Sequence, residues 1–133
     1  MFECIPNISE GRDEIVIREA EDAINSVQGI KLLHTDAGYD ANRTVFTFVG
    51  DANGIEKAVI NLYQVCLSKI DLRKHVGAHP RLGAVDVCPI VPLKESGFEE
   101  AIQLASKIGN KVCSKFNIPV FFYSRKPLAL FHQ

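Results

Sequence analysis

Ile30-Lys31-Leu32-Leu33-His34-Thr35, Asp36-Ala37-Gly38-Tyr39-Asp40-Ala41-Asn42-Arg43 and Thr44-Val45-Phe46-Thr47-Phe48-Val49 follow one another without a break. The last of the three is β-branched or aromatic at every position, the composition that suits a pleated, half-buried strand. Ile30–Thr35 reads as a second strand. The eight residues from Asp36 to Arg43 are mostly turn formers, so they read as a polar loop. A loop of that kind between two strands makes a hairpin, and the strands are then antiparallel.

Working outward, Phe2 to Ile8 is a short apolar stretch ended by Pro6-Asn7, a first strand followed by a turn. Asp13-Glu14 opens a helix with acidic residues where the helix dipole favours them. Val16, Ala20, Ala23, Ile24 and Val27 mark its apolar stripe, and Gly29 stands where a C-terminal cap belongs. On the other side of the hairpin, Asn53-Gly54-Ile55-Glu56 has the spacing of a capping box. Ile55, Ala58, Val59, Leu62, Cys66 and Ile70 then share a helical face. Asp71 to Gly83 holds too many Gly, Pro and His residues for regular structure. Ala84–Val91 is a nearly continuous apolar strand, Ser96-Gly97-Phe98-Glu99 a second capping box, and Ile118–Tyr123 a last strand. Ser124–Gln133 reads as a tail.

The order is strand, helix, strand, strand, helix, strand, then helix and strand. Its first six elements match the βαββαβ pattern of a ferredoxin-like sandwich, an α+β fold with helices on one face of an antiparallel sheet, here extended by a further helix and strand. A chain of 133 residues, 47% hydrophobic and 23% charged, is the size and composition of a single domain spanning 1–133. Fifteen Lys and Arg against sixteen Asp and Glu leave a formal charge of -1, with no basic tract, so nothing calls for nucleic acid or a membrane surface. No apolar run approaches the ~18 residues of a membrane span. Cys4, Cys66, Cys88 and Cys113 are widely spaced among apolar residues and form no CxxC pair. They read as reduced thiols of a cytoplasmic protein, not as a zinc site.

Chemistry concentrates in His75-Val76-Gly77-Ala78-His79-Pro80-Arg81-Leu82-Gly83-Ala84. Pro80 pushes His79 towards an extended backbone, which fixes where its imidazole projects. Histidine can transfer protons in both directions near neutral pH, and Arg81 can grip a carboxylate bidentately. The competing reading is a long surface loop whose imidazoles cap backbone groups. His75 and His79 lie four apart, but Gly77 and Pro80 disfavour the helix that would pair them on a metal, and no third ligand is near, so no metal is expected. In the hairpin loop, Asp36 can face a cationic amidine, Asn42 can donate and accept hydrogen bonds, and Arg43 can hold a carboxylate. A plain polar turn is the alternative there. Asn7 and Ser9, after the first strand, suit a turn as well as a ligand.

Taken together these loops resemble one family. Cys4-Ile5-Pro6-Asn7-Ile8-Ser9-Glu10-Gly11, Asp36-Ala37-Gly38, Asn42-Arg43-Thr44-Val45-Phe46-Thr47-Phe48-Val49-Gly50, and His75-x-Gly77-x-His79-Pro80-Arg81-x-Gly83-Ala84-x-Asp86-Val87-Cys88-Pro89 are similar, in order and spacing, to the N-terminal subdomain of glutamate formiminotransferase. The resemblance runs from about Phe2 to Tyr123.

It implies transfer of the formimino group from N-formimino-L-glutamate to N5 of tetrahydrofolate, a late step of histidine degradation and part of one-carbon metabolism. Tetrahydrofolate would be the co-substrate, and the residues that contact it are not assigned. The histidine matching His79 is that family's proposed general base, and Asp36, Asn42, Arg43 and Arg81 become candidates for substrate binding. The family also has a C-terminal subdomain that supplies much of the folate contact, whereas this sequence ends at Gln133. Ser124–Gln133 departs from the Gly- and Glu-rich continuation expected after the last strand. The missing wall would come from the rest of a longer enzyme, a separate chain or a homo-oligomer. The alternative is a non-catalytic folate-binding or assembly module that keeps the subdomain fold.

Overall fold

The hairpin forms, and the rest of the sheet is built beside it. In the computed structural model, which describes residues 1–71, 83–123 and 128–132, the elements in chain order are β1 (Phe2–Cys4), β2 (Asn7–Ile8), α1 (Glu14–Asn25), β3 (Lys31–Gly38), β4 (Arg43–Gly50), α2 (Ala52–Lys69), β5 (Val85–Pro92), α3 (Phe98–Phe116), β6 (Val120–Tyr123) and β7 (Leu128–His132). β1 and β2 are two parts of one strand interrupted at Ile5-Pro6, and both parts lie between β4 and β5. Across the sheet the order is β3, β4, β1 with β2, β5, β7, β6, and every pairing is antiparallel. Its first four positions are the split-βαβ arrangement that the element order implied, so the ferredoxin-like α+β fold holds.

Alternation along β4 defines the two faces. Thr44, Phe46 and Phe48 are fully buried, while Arg43, Val45, Thr47 and Val49 are half-buried on the opposite side. Phe2, Cys4, Ile8, Val85, Cys88 and Ile90 continue the buried face and meet Ala20 and Ile24 of α1, Ile55, Val59, Leu62 and Tyr63 of α2, and Ala101, Ile108 and Val112 of α3. That layer is the core. The opposite face carries no helix from the described residues and presents Glu3, Asn7, Val45, Val49, Val87 and Val91.

Several local expectations shift. Asp36, Ala37 and Gly38 belong to β3, paired with Val45, Thr44 and Arg43, so the connection shrinks to residues 39–42. Backbone pairing there outweighs the turn-forming character of the side chains. α1 is capped as read, with Asp13 accepting from the Ile15 and Val16 N–H groups, but it stops at Asn25, before Gly29. α2 is capped by Asp51, which accepts from Gly54 N–H at 2.8 Å, and not by Asn53; an aspartate with extended backbone two residues earlier takes the role. α3 starts after Gly97, whose N–H is accepted by Glu100 at 2.8 Å, in place of Ser96 and Glu99. Part of the supposed tail, Leu128–His132, is a strand that inserts between β5 and β6, so the extension is a helix and a hairpin. The Asp71–Gly83 linker falls largely outside the described residues.

Glu56, left free by the change of cap, joins α2 to α3. It sits 2.5 Å from Lys111 and 3.4 Å from Lys107. Burial opposes its charge, but the hydrogen bonds and charges of Lys111 and Lys107 outweigh burial and hold its carboxyl below the usual range. A depressed native value means the unfolded chain binds more protons in acid. The stabilisation is therefore complete above the ordinary glutamate pKa of about 4.5 and is lost as the pH falls through the lower native value. Glu56→Gln should flatten the acid limb of a plot of urea midpoint against pH, while an unchanged limb would show that the cluster contributes nothing.

The β2–α1 connection is seated on the end of the hairpin. A Cβ placed on Gly11 would lie 2.3 Å from Gly38 O, 2.5 Å from Arg43 N and 2.7 Å from Arg43 O, all backbone atoms that cannot rotate away. Asn42, with φ of 52°, is the left-handed residue of the turn, and its Oδ1 accepts from Gly11 N–H at 2.8 Å. Thr44 Oγ1 donates to Glu10 O at 2.6 Å. Gly11→Ala should destabilise the fold by about 1–3 kcal/mol, the usual range for overpacking, read as a lower denaturant midpoint in urea unfolding.

Candidate active site

The β2–α1 connection, the hairpin turn and residues 83–84 meet at one end of the sheet. Ser9 is fully buried and joins two of them: its N–H donates to Ala84 O at 2.8 Å and its Oγ to Gly83 O at 2.6 Å. Gly11 and Glu10 join the same segment to the hairpin through Asn42 and Thr44. Glu10 also turns its carboxylate onto the N–H groups of Arg12 and Asp13, both at 3.0 Å, and so shapes the start of α1. Arg12 braces the hairpin turn from outside, donating from Nε to Tyr39 O at 2.8 Å and lying 4.9 Å above the Tyr39 ring.

A bulge in β5 places the charged centre of this cluster. Asn7 pairs with Val87 but Ile8 pairs with Val85, so Asp86 is an extra residue on its strand. Val85 thereby stays in the core, while Asp86 turns to the open face beside Val87. There it forms an ion pair and hydrogen bond with Arg43 Nη2. Both β4 and β5 flank β2, so the Arg43 side chain reaches over the central strand to do this, two interstrand spacings of ~4.7–4.9 Å each. The Asp86 side chain is 7% exposed and that of Arg43 27%, so the carboxylate is the buried partner and the guanidinium faces outward. Arg43 Nε is shielded from solvent and has no acceptor among the described residues.

Asp36 lies on the same face. Its register partner is Val45, and Arg43 pairs with Gly38, so Asp36 and Arg43 are diagonal neighbours, ~7–8 Å apart at the backbone. Asp36 is exposed. Asn42, in contrast, is 6% exposed and its Oδ1 is turned inward onto Gly11, so its place is beneath the site. His75, His79 and Arg81 lie outside the described residues; Gly83 and Ala84, which follow them, are tied to Ser9 at this same end.

Acidic Asp36 and basic Arg43, exposed or half-exposed on one face, offer complementary ends to a zwitterionic or amidine-bearing ligand. Sequence reasoning did not single out Asp86, although it quoted the residue within the His-Pro-Arg block. Its apolar neighbours suggest a buried strand, and the bulge that turns it outward depends on pairing with a distant segment. Among the described residues no cluster of His, Cys, Asp and Glu is arranged to hold a metal, and no helix is long and apolar enough to cross a membrane.

Comparison with known proteins bears on nearly the whole of the chain. The chain matches the family described as "Formiminotransferase domain, N-terminal subdomain" over residues 1–128. It is 42% identical over 123 residues to the formimidoyltransferase-cyclodeaminase of Dictyostelium discoideum, covering 92% of this chain and 23% of that protein. It is 39% identical to the glutamate formimidoyltransferase of Streptococcus pyogenes serotype M1, covering 92% of this chain and 41% of the other. A glutamate formimidoyltransferase of Thermoplasma acidophilum is 39% identical over 124 residues, with 93% and 41% covered. The chain thus spans about two fifths of the shorter relatives and under a quarter of the longer one. With the match extending over nearly all of its length, this chain belongs to the formiminotransferase N-terminal subdomain family.

Proposed function

We propose that this chain is the catalytic half of a transferase that moves the formimino group of N-formimino-L-glutamate to N5 of tetrahydrofolate. The observation that carries this reading is the convergence of the β2–α1 and β3–β4 connections with Gly83 and Ala84 around Arg43 and Asp86, with Asp36 on the same face. The fit of the residues to the reaction supports it. N5 adds to the amidine carbon and must lose a proton; the glutamate nitrogen departs and must gain one. One imidazole can perform both transfers, and His79 is assigned that role. Asp36 favours the protonated, more electrophilic amidine. Arg43 and Arg81 anchor glutamate carboxylates. Asn42 contributes from below by holding Gly11, and Asp86 by keeping the Arg43 guanidinium at the face.

The reaction also needs a second wall. A folate lying on one open face leaves much of its surface in water, and small-molecule sites usually bury ~70–90% of the ligand. A C-terminal subdomain supplies that wall in this reading, whether from the same protein, a separate chain or a second copy. The greater length of the relatives supports this.

Formimino transfer measured with this chain alone, and again with a supplied C-terminal subdomain, tests the proposal. Activity on complementation is the expected result. Activity in neither arm, together with no folate binding, overturns it and leaves the assembly-module reading.

In the active pair, His79→Ala should lower kcat by about 10²–10⁴-fold, the range for general acid-base catalysis. A near-wild-type rate at neutral pH would remove the base from the scheme. Asp86→Asn should raise KM for N-formimino-L-glutamate more than it lowers kcat, because it releases the group that binds carboxylate and spares the group that moves the proton.

A further inference from the structure

Cys4 and Cys88 lie on neighbouring strands, β1 and β5, with their side chains turned into the core. Cys4 pairs with Ile90, two residues along from Cys88, and the two sulfurs are 3.5 Å apart. Both residues are fully buried. Cys66 and the Tyr63 ring from α2 lie in the same part of the core. Among the described residues no set of three metal-ligating side chains includes the pair. Two thiols in van der Waals contact, without a metal arrangement around them, have one economical chemistry left. An S–S bond is about 2.05 Å long. Cys4 and Cys88 are diagonal neighbours, ~7–8 Å apart at the backbone, so closing the gap draws the two strands together as well as turning the side chains.

We propose that Cys4 and Cys88 are a redox modification site, a buried dithiol that a small neutral peroxide converts into an intramolecular disulfide joining β1 to β5. In the balanced step, one thiol sulfur attacks hydrogen peroxide, giving a sulfenic acid and one water. The second thiol then displaces the hydroxyl as a second water. One S–S bond has formed, the two sulfurs have together lost two electrons, and the peroxide has been reduced. Burial, with the neighbouring thiol adding to it, pushes the Cys4 thiol up, so the attacking thiolate is scarce and the oxidation is slow. Cys113 is exposed and reacts first. The bond would connect positions 84 residues apart, enclosing α1, the hairpin and α2, and would restrict the unfolded chain far more than the folded one.

The test uses the folded full chain carrying Cys113→Ser, which removes the exposed thiol and intermolecular linkage through it. After prolonged treatment with hydrogen peroxide, the intact mass should fall by two hydrogens, and unreduced peptide mapping should join the Cys4 peptide to the Cys88 peptide. The oxidised protein should unfold at a higher urea concentration than the reduced protein, and reduction should reverse the change. Two free thiols at positions 4 and 88, after the same exposure has consumed Cys113 in the parent chain, would overturn the proposal. So would a bond that includes Cys66, a sulfinic acid at either position, or a lower urea midpoint on oxidation. None of these outcomes depends on whether the chain transfers formimino groups.

Discussion

An arginine reaching across the central strand to a buried aspartate organises the functional end of this domain. Arg43 begins β4 and Asp86 sits in the bulge of β5, with β2 between them. The pair forms where β2 ends and the chain leaves the sheet at Ser9, a point at which backbone pairing can no longer hold β4 and β5 in place. A charge-assisted hydrogen bond replaces it. Beneath the pair, Ser9, Gly11 and Asn42 close the gap with backbone-directed bonds. The open face therefore receives its charged groups from a floor that is itself fixed.

That division of labour separates two kinds of polar residue. Asn42, Ser9 and Thr44 are buried, and each makes a side-chain hydrogen bond to a backbone group. Asp36 and Arg43 stand on the face and keep surface available to a ligand. Deleting a residue of the first kind loosens two segments at once, because each bond joins a pair of them. In the proposed reading, changing Asp36 perturbs recognition and leaves the floor intact, whereas changing Arg43 also releases Asp86.

Much of the architecture could be read from residue pattern. The β-branched run of β4, the apolar stripes of the helices and the acidic start of α1 each specify their element locally, and they compose into the split-βαβ order. What escaped was set by distant partners. Asp36-Ala37-Gly38 has the composition of a turn, yet it pairs with β4 because the strand opposite offers a ladder. Leu128–His132 becomes a strand only by inserting between β5 and β6. The outward turn of Asp86 depends on a bulge whose register is written partly in β2, about eighty positions away. Of the candidate site, Asp36 and Arg43 were legible as charge in a loop, and the inward role of Asn42 was not, since only the fold shows that Gly11 comes to meet it.

Among the described residues β3 bounds the sheet on the side away from β5, and one row of its backbone groups has no described strand beside it. Such a border can template association with other molecules. Here the border is made unattractive: Lys31, His34 and Asp36 are exposed along it, and the register slips between Leu32 and His34, which disturbs the straight ladder a partner would need. In the proposed reading Asp36 serves two ends, since the carboxylate that would meet a cationic substrate also discourages polymerisation through the sheet margin. Replacing it with an apolar residue would trade a chemical group for a sticky seam.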